Sequence, residues 1–233
     1  MEERPALVVA GGDGTLFHLL SRLVPPWPPV RLVPQGRGNA LARDIGAGRA
    51  ACVDVIRVSA AAAGGAALEC FSLSSVGLGY PSDVTRGSFP LRFLRRFSYA
   101  AAALFTLPRW RWFRISLDGE AERRVRLRGV LVNNTRYTGG FEALPAASSS
   151  DGLAECVELS AGYVRQMAHN LSAISGLHCY APARIRKIRR AVIAPEEPLE
   201  LMIDGELAGP VQRVVLEVIP RALEVQVVRP ASL

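Results

Sequence analysis

Short apolar runs, cut repeatedly by glycine and proline, set the pattern of the chain. Ala6–Ala10 is a strand-like run ending in Gly11-Gly12-Asp13-Gly14, and Thr15–Leu23 then repeats apolar residues at helical spacing. The segment Pro25-Pro26-Trp27-Pro28-Pro29 breaks the chain. Val30–Val33 reads as a second strand, Pro34–Asn39 as a second glycine-containing turn, and Ala40–Ile45 as a helix stopped by Gly46 and Gly48. Two strand–turn–helix units in succession predict a parallel α/β layer. The character changes near Cys52. Val53–Ser59 and Leu68–Ser75 read as strands around an Ala/Gly loop at 60–67, and Leu91–Leu107 as a long helix ended by Pro108. Trp112–Leu117, Val125–Asn133 and Leu153–Leu159 have the lengths and punctuation of antiparallel strands, Tyr163–Ile174 that of a helix. Strands return at Ile185–Ile193, Leu199–Ile203, Val214–Ile219 and Leu223–Val228.

The expected fold class is α/β plus β. A reduced parallel α/β domain at 1–52 is followed by a mostly antiparallel β-sandwich at 53–233, with a hinge at 48–54. The last strands are expected to pack back near the cleft between them.

Composition narrows the class. At 233 residues, 49 % hydrophobic and 21 % charged, the chain has ordinary globular composition. Its longest apolar runs, such as Ala100–Phe105, fall far short of the ~18 residues of a membrane-spanning helix. The start, Met-Glu-Glu-Arg-Pro, runs straight into a strand and reads as carrying no secretory signal, so the expected location is cytoplasmic. Cys52, Cys70, Cys156 and Cys179 lack Cys-x-x-Cys spacing and read as buried thiols. The net charge of +7 is almost wholly arginine, Lys187 being the only lysine. Arginines cluster at 92–96, 109–114, 123–128 and 184–190, and such patches suit solvated sheet faces or an anionic membrane surface. No nucleic-acid motif accompanies them, so nucleic acid is not an expected partner.

The glycine turns carry the candidate chemistry. Glycines let a backbone approach a phosphate closely, and amides at a helix N-terminus hydrogen-bond it. In a parallel sheet both turns open at the same strand ends, the edge where open α/β sheets bind ligands. One turn with a carboxylate and one with an arginine suit a polyphosphate and its metal.

The series Gly11-Gly12-Asp13-Gly14-Thr15-Leu16 and Pro34-Gln35-Gly36-Arg37-Gly38-Asn39-Ala40-Leu41-Ala42-Arg43 resembles the diacylglycerol kinase catalytic domain family, which includes sphingosine kinases and bacterial lipid kinases. The Gly-Asn-Ala-Leu-Ala form is closer to sphingosine and ceramide kinases. Ser72–Gly79, Asn133–Gly140, Pro145, Asp151-Gly152-Leu153 and Asp204-Gly205-Glu206 follow in the family's order. Gly-Gly-Asp-Gly alone would also fit NAD kinases and phosphofructokinases; the second turn and the downstream series single out lipid kinases.

The resemblance implies transfer of the γ-phosphoryl group of ATP, as its Mg²⁺ complex, to a lipid hydroxyl of diacylglycerol or sphingosine type. Gly11, Gly12, Asp13, Gly14, Thr15, Gly36, Arg37, Gly38 and Asn39 would hold the nucleotide, with Asp13 near the metal or the attacking hydroxyl. Glu206 would be the catalytic base, while the same letters in Asp118-Gly119-Glu120 should form only a hairpin. Asp151, with the carbonyls of Ser148 and Leu153, matches a structural Mg²⁺ site, and Asp83 lies where sphingosine kinases meet the lipid amine. Against the family pattern, Phe17-His18 replaces Asn-Glu, Arg37 replaces Thr or Ser, and the leading strands are absent before Gly11. An uncovered sheet edge would favour a homodimer. The competing expectation is a non-catalytic lipid- or nucleotide-binding module, or a fragment, derived from the same family.

Overall fold

The computed structural model describes residues 5–23, 25–36, 38–176 and 184–229. Strand β1 (Leu7–Gly11), helix α1 (Asp13–Leu20), strand β2 (Val30–Pro34) and helix α2 (Ala40–Ile45) follow the expected order. β1 and β2 are parallel, paired from Leu7↔Val30 to Gly11↔Pro34, so both glycine turns leave the sheet at one edge. There they touch. A Cβ on Gly12 would lie 2.7 Å from the Gly36 Cα, which is why a side chain fits at neither position.

Beyond this unit come β3 (Ala50–Ala62), β4 (Ala67–Ser72), β5 (Ser75–Gly79), α3 (Tyr80–Ser88), a 3-10 turn (Arg92–Phe97) and α4 (Ser98–Phe105). β6 (Arg111–Leu117), β7 (Arg123–Leu127), β8 (Gly129–Asn133), the hairpin β9–β10 (Tyr137–Thr138, Phe141–Glu142), β11 (Ala154–Leu159) and α5 (Tyr163–Ser175) follow. The chain closes with β12 (Arg184–Ile188), β13 (Arg190–Pro195), β14 (Leu199–Ile203) and β15 (Glu206–Val227). Antiparallel pairing dominates. One sheet of 13 strands among the described residues runs β12-β11-β8-β5-β14-β15-β13-β6-β7, with β3 and β2 also on β15.

The 22-residue β15 joins the two ends of the molecule. It starts in a hairpin with β14 at Ile203↔Glu206 and finishes parallel to β2, with Val225↔Val30. The separate strands expected at Val214–Ile219 and Leu223–Val228 are therefore one strand with a bulge at Ile219/Leu223. Pro220 offers no N–H there, and Arg221, at φ 50°, donates its amide to Asp54 instead.

Three buried clusters form the core, the smallest of them Tyr80, Leu144, Ala147, Val157 and Leu159. Leu16, Leu20, Leu32, Leu41, Val55 and Val225 fill the α/β end, and Ile56, Leu78, Phe113, Ile115, Ile203 and Leu216 fill the sandwich. Two long strands of the sequence reading are each cut in two. Between β7 and β8 the buried Arg128 turns aside, its amide donating to Leu159 and its carbonyl accepting the Tyr80 amide. Arg189 separates β12 from β13, its amide held by the Asp118 carboxylate. The expected helix at Leu91–Leu107 is a 3-10 turn plus α4, and α3 was not anticipated, although Gly79 (φ 77°) followed by Pro81 is a helix-start signal. Cys70 and Cys156 are buried free thiols and Cys52 is half-buried and free; Cys179 lies outside the described residues. No helix among the described residues is long and apolar enough to cross a membrane.

Candidate functional site

At the shared edge of β1 and β2 the first turn opens α1, with Gly12 as its N-cap. Asp13 does not project freely. Its Oδ2 accepts the Ala40 amide at 2.9 Å and its Oδ1 the Leu41 amide at 3.2 Å, so the first turn caps the helix that follows the second. Burial pushes the Asp13 carboxyl above its ordinary range, although both amides pull it down. Asn39, left-handed at φ 48°, accepts the Gly36 amide and donates to the Gly36 carbonyl, both at 2.8 Å, which closes the second turn on itself. Arg37 lies outside the described residues.

The β14–β15 hairpin brings in the carboxylates. Asp204 and Gly205 take positive φ (49° and 85°), as a tight two-residue hairpin requires. Asp204 is buried. It accepts the Ser72 hydroxyl at 2.7 Å and the amides of Leu73, Ser74 and Ser75 at 2.8 to 2.9 Å, which pins the hairpin to the β4–β5 connection. Burial, with the charge of Asp13 adding to it, pushes its carboxyl up to about 6 in spite of these donors. The next residue but one, Glu206, lies against the first turn: its Oε1 is 3.1 Å from where a Gly14 Cβ would stand.

The identical letters at Asp118-Gly119-Glu120 form the same backbone turn (φ 49° and 81°) with another fate. Glu120 is exposed and paired with Arg186 at 2.5 Å. Only tertiary placement separates the two motifs.

Gly12, Asp13, Gly14, Thr15, Gly36, Gly38, Asp204 and Glu206 line one end of a cavity of about 520 Å³. Its other end is walled by Tyr80 and Val84 of α3, Ala103 of α4, Leu131, Phe141 and Leu159. Buried polar groups that sequence reasoning missed stand among these apolar walls, namely Gln166 and Asn170 of α5. Their i, i+4 spacing on an amphipathic helix was the available signal, but at such spacing a polar pair reads as a solvated face. Tyr99 was missed too; its hydroxyl donates to the Gly205 carbonyl at 3.3 Å. His18 and His169 line the cavity, and His178 lies outside the described residues.

The remaining expected site residues do not join this group. Asp83 is off the cavity wall, in an ion pair with Arg111 at 2.7 Å. The exposed Asp151 accepts the Leu153 amide at Oδ1 and the Lys187 ammonium at Oδ2, the latter at 2.6 Å, and the Ser148 hydroxyl sits near that of Ser150. No group of three or more His, Cys, Asp or Glu placed to hold a metal occurs among the described residues. The half-exposed Lys187 ammonium is the partner of the Asp151 carboxylate here.

Comparison with known proteins gives the same outline. Residues 2–65 match the diacylglycerol kinase catalytic domain model, and residues 74–227 match the YegS C-terminal NAD kinase beta sandwich-like domain model. The diacylglycerol kinase of Bacillus subtilis (strain 168) is 24 % identical over 225 residues, covering 90 % of this chain and 73 % of the relative. That of Mycobacterium tuberculosis (strain H37Rv) is 27 % identical over 245 aligned positions, covering 97 % and 77 %. The crystal structure of a diacylglycerol kinase from Bacillus anthracis str. Sterne superposes with a TM-score of 0.75 at 20 % identity, over 97 % of this chain and 78 % of that one. Yeast NADH kinase shares the fold more distantly, with a TM-score of 0.54 at 12 % identity over 97 % and 62 %. The second match spans more than half of the length, and the chain belongs to the YegS C-terminal NAD kinase beta sandwich-like domain family, with a match to the diacylglycerol kinase catalytic domain ahead of it.

Proposed function

We propose that this chain transfers the γ-phosphoryl group of ATP to the hydroxyl of an amphipathic lipid. One observation carries the reading: a single cavity joins two phosphate-sized glycine turns and the Glu206 carboxylate to an apolar chamber. A water-soluble acceptor would have no use for that chamber, and a lipid without a polar head would have none for the turns. The backbone of Gly11–Thr15 and of Gly36, Gly38 and Asn39 would cradle the phosphates, with magnesium arriving as part of the nucleotide complex. Glu206 is the base. It takes the proton of the lipid hydroxyl as that oxygen bonds to the γ-phosphorus and the bond to the β-phosphate oxygen breaks, giving a lipid phosphate and ADP. Asp13 acts as a positioning residue, because both its oxygens hold the α2 amides that set the second turn against the first. On this reading residues 1–52, with Val53 and Val55 of β3 and the end of β15, form the nucleotide side and the rest of the sandwich the lipid side.

An exposed apolar patch on and next to α4 supports work at an anionic membrane surface. Phe93, Phe97, Phe105 and Leu107 are 57 to 85 % exposed beside α4, whose Ala103 walls the chamber. On β6 and β7 the half-exposed Trp112 carries the exposed Arg124 over its ring at 4.1 Å, with Glu196 as that arginine's ion-pair partner. Apolar rings with arginines beside them suit a boundary between headgroups and acyl chains. Val8, exposed on the edge strand β1, supports pairing of two copies there, which light scattering of wild type against Val8→Lys checks.

The test is γ-labelled ATP and Mg²⁺ against mixed micelles of diacylglycerol, monoacylglycerol, sphingosine and ceramide, with Glu206→Gln beside the wild type. Label entering a lipid, and lost in the variant, establishes the activity. No label in any lipid from a folded protein leaves the non-catalytic binding module as the answer.

A further inference from the structure

A chain of buried hydrogen bonds runs through the apolar end of the cavity, and its direction is fixed by chemistry. The Ala103 carbonyl can only accept. It accepts from the Tyr80 hydroxyl and, at 3.0 Å, from Asn170 Nδ2, which also donates to the Tyr80 oxygen at 2.8 Å. Burial pushes the Tyr80 phenol up to about 12, which keeps it a donor. Asn170 must therefore turn its Oδ1 toward Gln166, and the partner it meets at 3.1 Å must be the donor Nε2. That leaves Gln166 Oε1 over. Gln166 is 2 % exposed, belongs to the cavity wall, and has no donor for this oxygen among the described residues.

Buried carboxamide oxygens are seldom left without a donor, and no rotation of either amide supplies one here without breaking the Asn170–Ala103 bond. Resting on the reading of this cavity as the acceptor-lipid chamber, we propose that Gln166 Oε1 receives a hydrogen bond from the lipid. It would select lipids that carry a second donor, a hydroxyl or an amide N–H, besides the hydroxyl to be phosphorylated. Esters and ethers present only acceptors, and a lipid built from them would seal Oε1 away from water unpaired. A site built around such a bond discriminates against the analogue that lacks it, here by roughly tenfold or more in affinity.

Matched lipid pairs test this without ATP. A 1-acylglycerol is compared with its 2-O-methyl ether, which replaces the second hydroxyl, and an N-acylethanolamine with its N-methyl amide, which replaces the N–H. Each competes with a fluorescent fatty alcohol for the full chain in detergent micelles. The expected result is that the wild type binds the donor-bearing member of at least one pair about tenfold more tightly, and which pair responds tells hydroxyl from amide. Gln166→Met should bring both members to equal affinity, whereas Gln166→Glu, which keeps acceptor oxygens, should retain the preference. Equal affinities within both pairs for the wild type overturn the proposal whatever the variants do, as does a preference that survives in a folded Gln166→Met. If no lipid displaces the probe, the lipid reading falls along with it. A preference seen without any phosphotransfer keeps the chamber assignment and removes only the kinase.

Discussion

The Asp13 carboxylate lies 2.9 Å from the amide of Ala40, across 27 residues of sequence, and this bond couples the two glycine turns. An acid at that position holds two amides of a helix N-terminus at once. Asp13→Asn keeps one acceptor oxygen and turns an N–H₂ toward the other amide, so a loss of about 1–2 kcal/mol of stability is expected. Nucleotide affinity should fall with it. Thermal melting and ATP titration of the same variant check both, and a variant that loses turnover with melting temperature and ATP affinity intact would return Asp13 to the chemistry.

Glu206 stands in contrast. No side-chain hydrogen bond or ion pair from Glu206 occurs among the described residues, so Glu206→Gln should leave the melting temperature and ATP binding unchanged while lowering kcat by roughly a hundredfold or more. Glu120→Gln, in the duplicate motif on the surface, should leave turnover as it is.

Close backbone contact makes the turns intolerant of the smallest side chain. In Gly36→Ala the new Cβ would meet the Gly12 Cα at 2.4 Å, and neither atom is the end of a flexible side chain. Separation of the turns, a stability loss of about 1–3 kcal/mol and loss of nucleotide binding are expected. An ATP affinity equal to the wild type's would show that the turns do not act together.

A pH dependence should come from Glu155. This residue on β11 is 2 % exposed, and neither carboxylate oxygen has a hydrogen-bond donor. Lys187 comes only within 3.6 Å. Burial pushes its carboxyl up to about 7. The folded value is raised above the ordinary 4.5, so its contribution to stability is full below that value and is lost as the pH rises through about 7. Glu155→Gln, neutral at that position throughout, keeps the dependence that Asp204 brings at about 6, so between pH 5 and 8 it should lose on the order of 1–3 kcal/mol less than the wild type. Parallel melting curves for the two proteins would refute this.

In the apolar patch at α4, Phe105 is 85 % exposed and contributes nothing visible to the core. Phe105→Asp should therefore preserve stability but weaken co-sedimentation with anionic vesicles several-fold, through lost apolar burial and added negative charge. Equal sedimentation of variant and wild type would count against membrane contact through this face.

Much of the architecture is written in local pattern. The α/β start, both glycine turns and most strand positions follow from apolar runs and punctuation, because backbone conformation there is decided by nearest neighbours. Where the reading was wrong, the deciding partner was distant. Arg128 breaks a strand that is continuous in hydrophobicity because Leu159 and Tyr80 claim its backbone, and Pro220–Arg221 bulges without ending β15 because Asp54 catches the freed amide. Sequence by itself determined where the two glycine turns and the candidate carboxylates lie along the chain, since strand ends and glycine turns are set by local pattern. Tertiary structure alone decided which of them face one space. It set Glu206 beside Gly14 and left its twin Glu120 in solvent, spent Asp13 on a helix end, and paired Asp151 with Lys187 and Asp83 with Arg111. A hydrogen bond or an ion pair depends on distances of a few ångströms between residues far apart in the chain, and no local pattern encodes those.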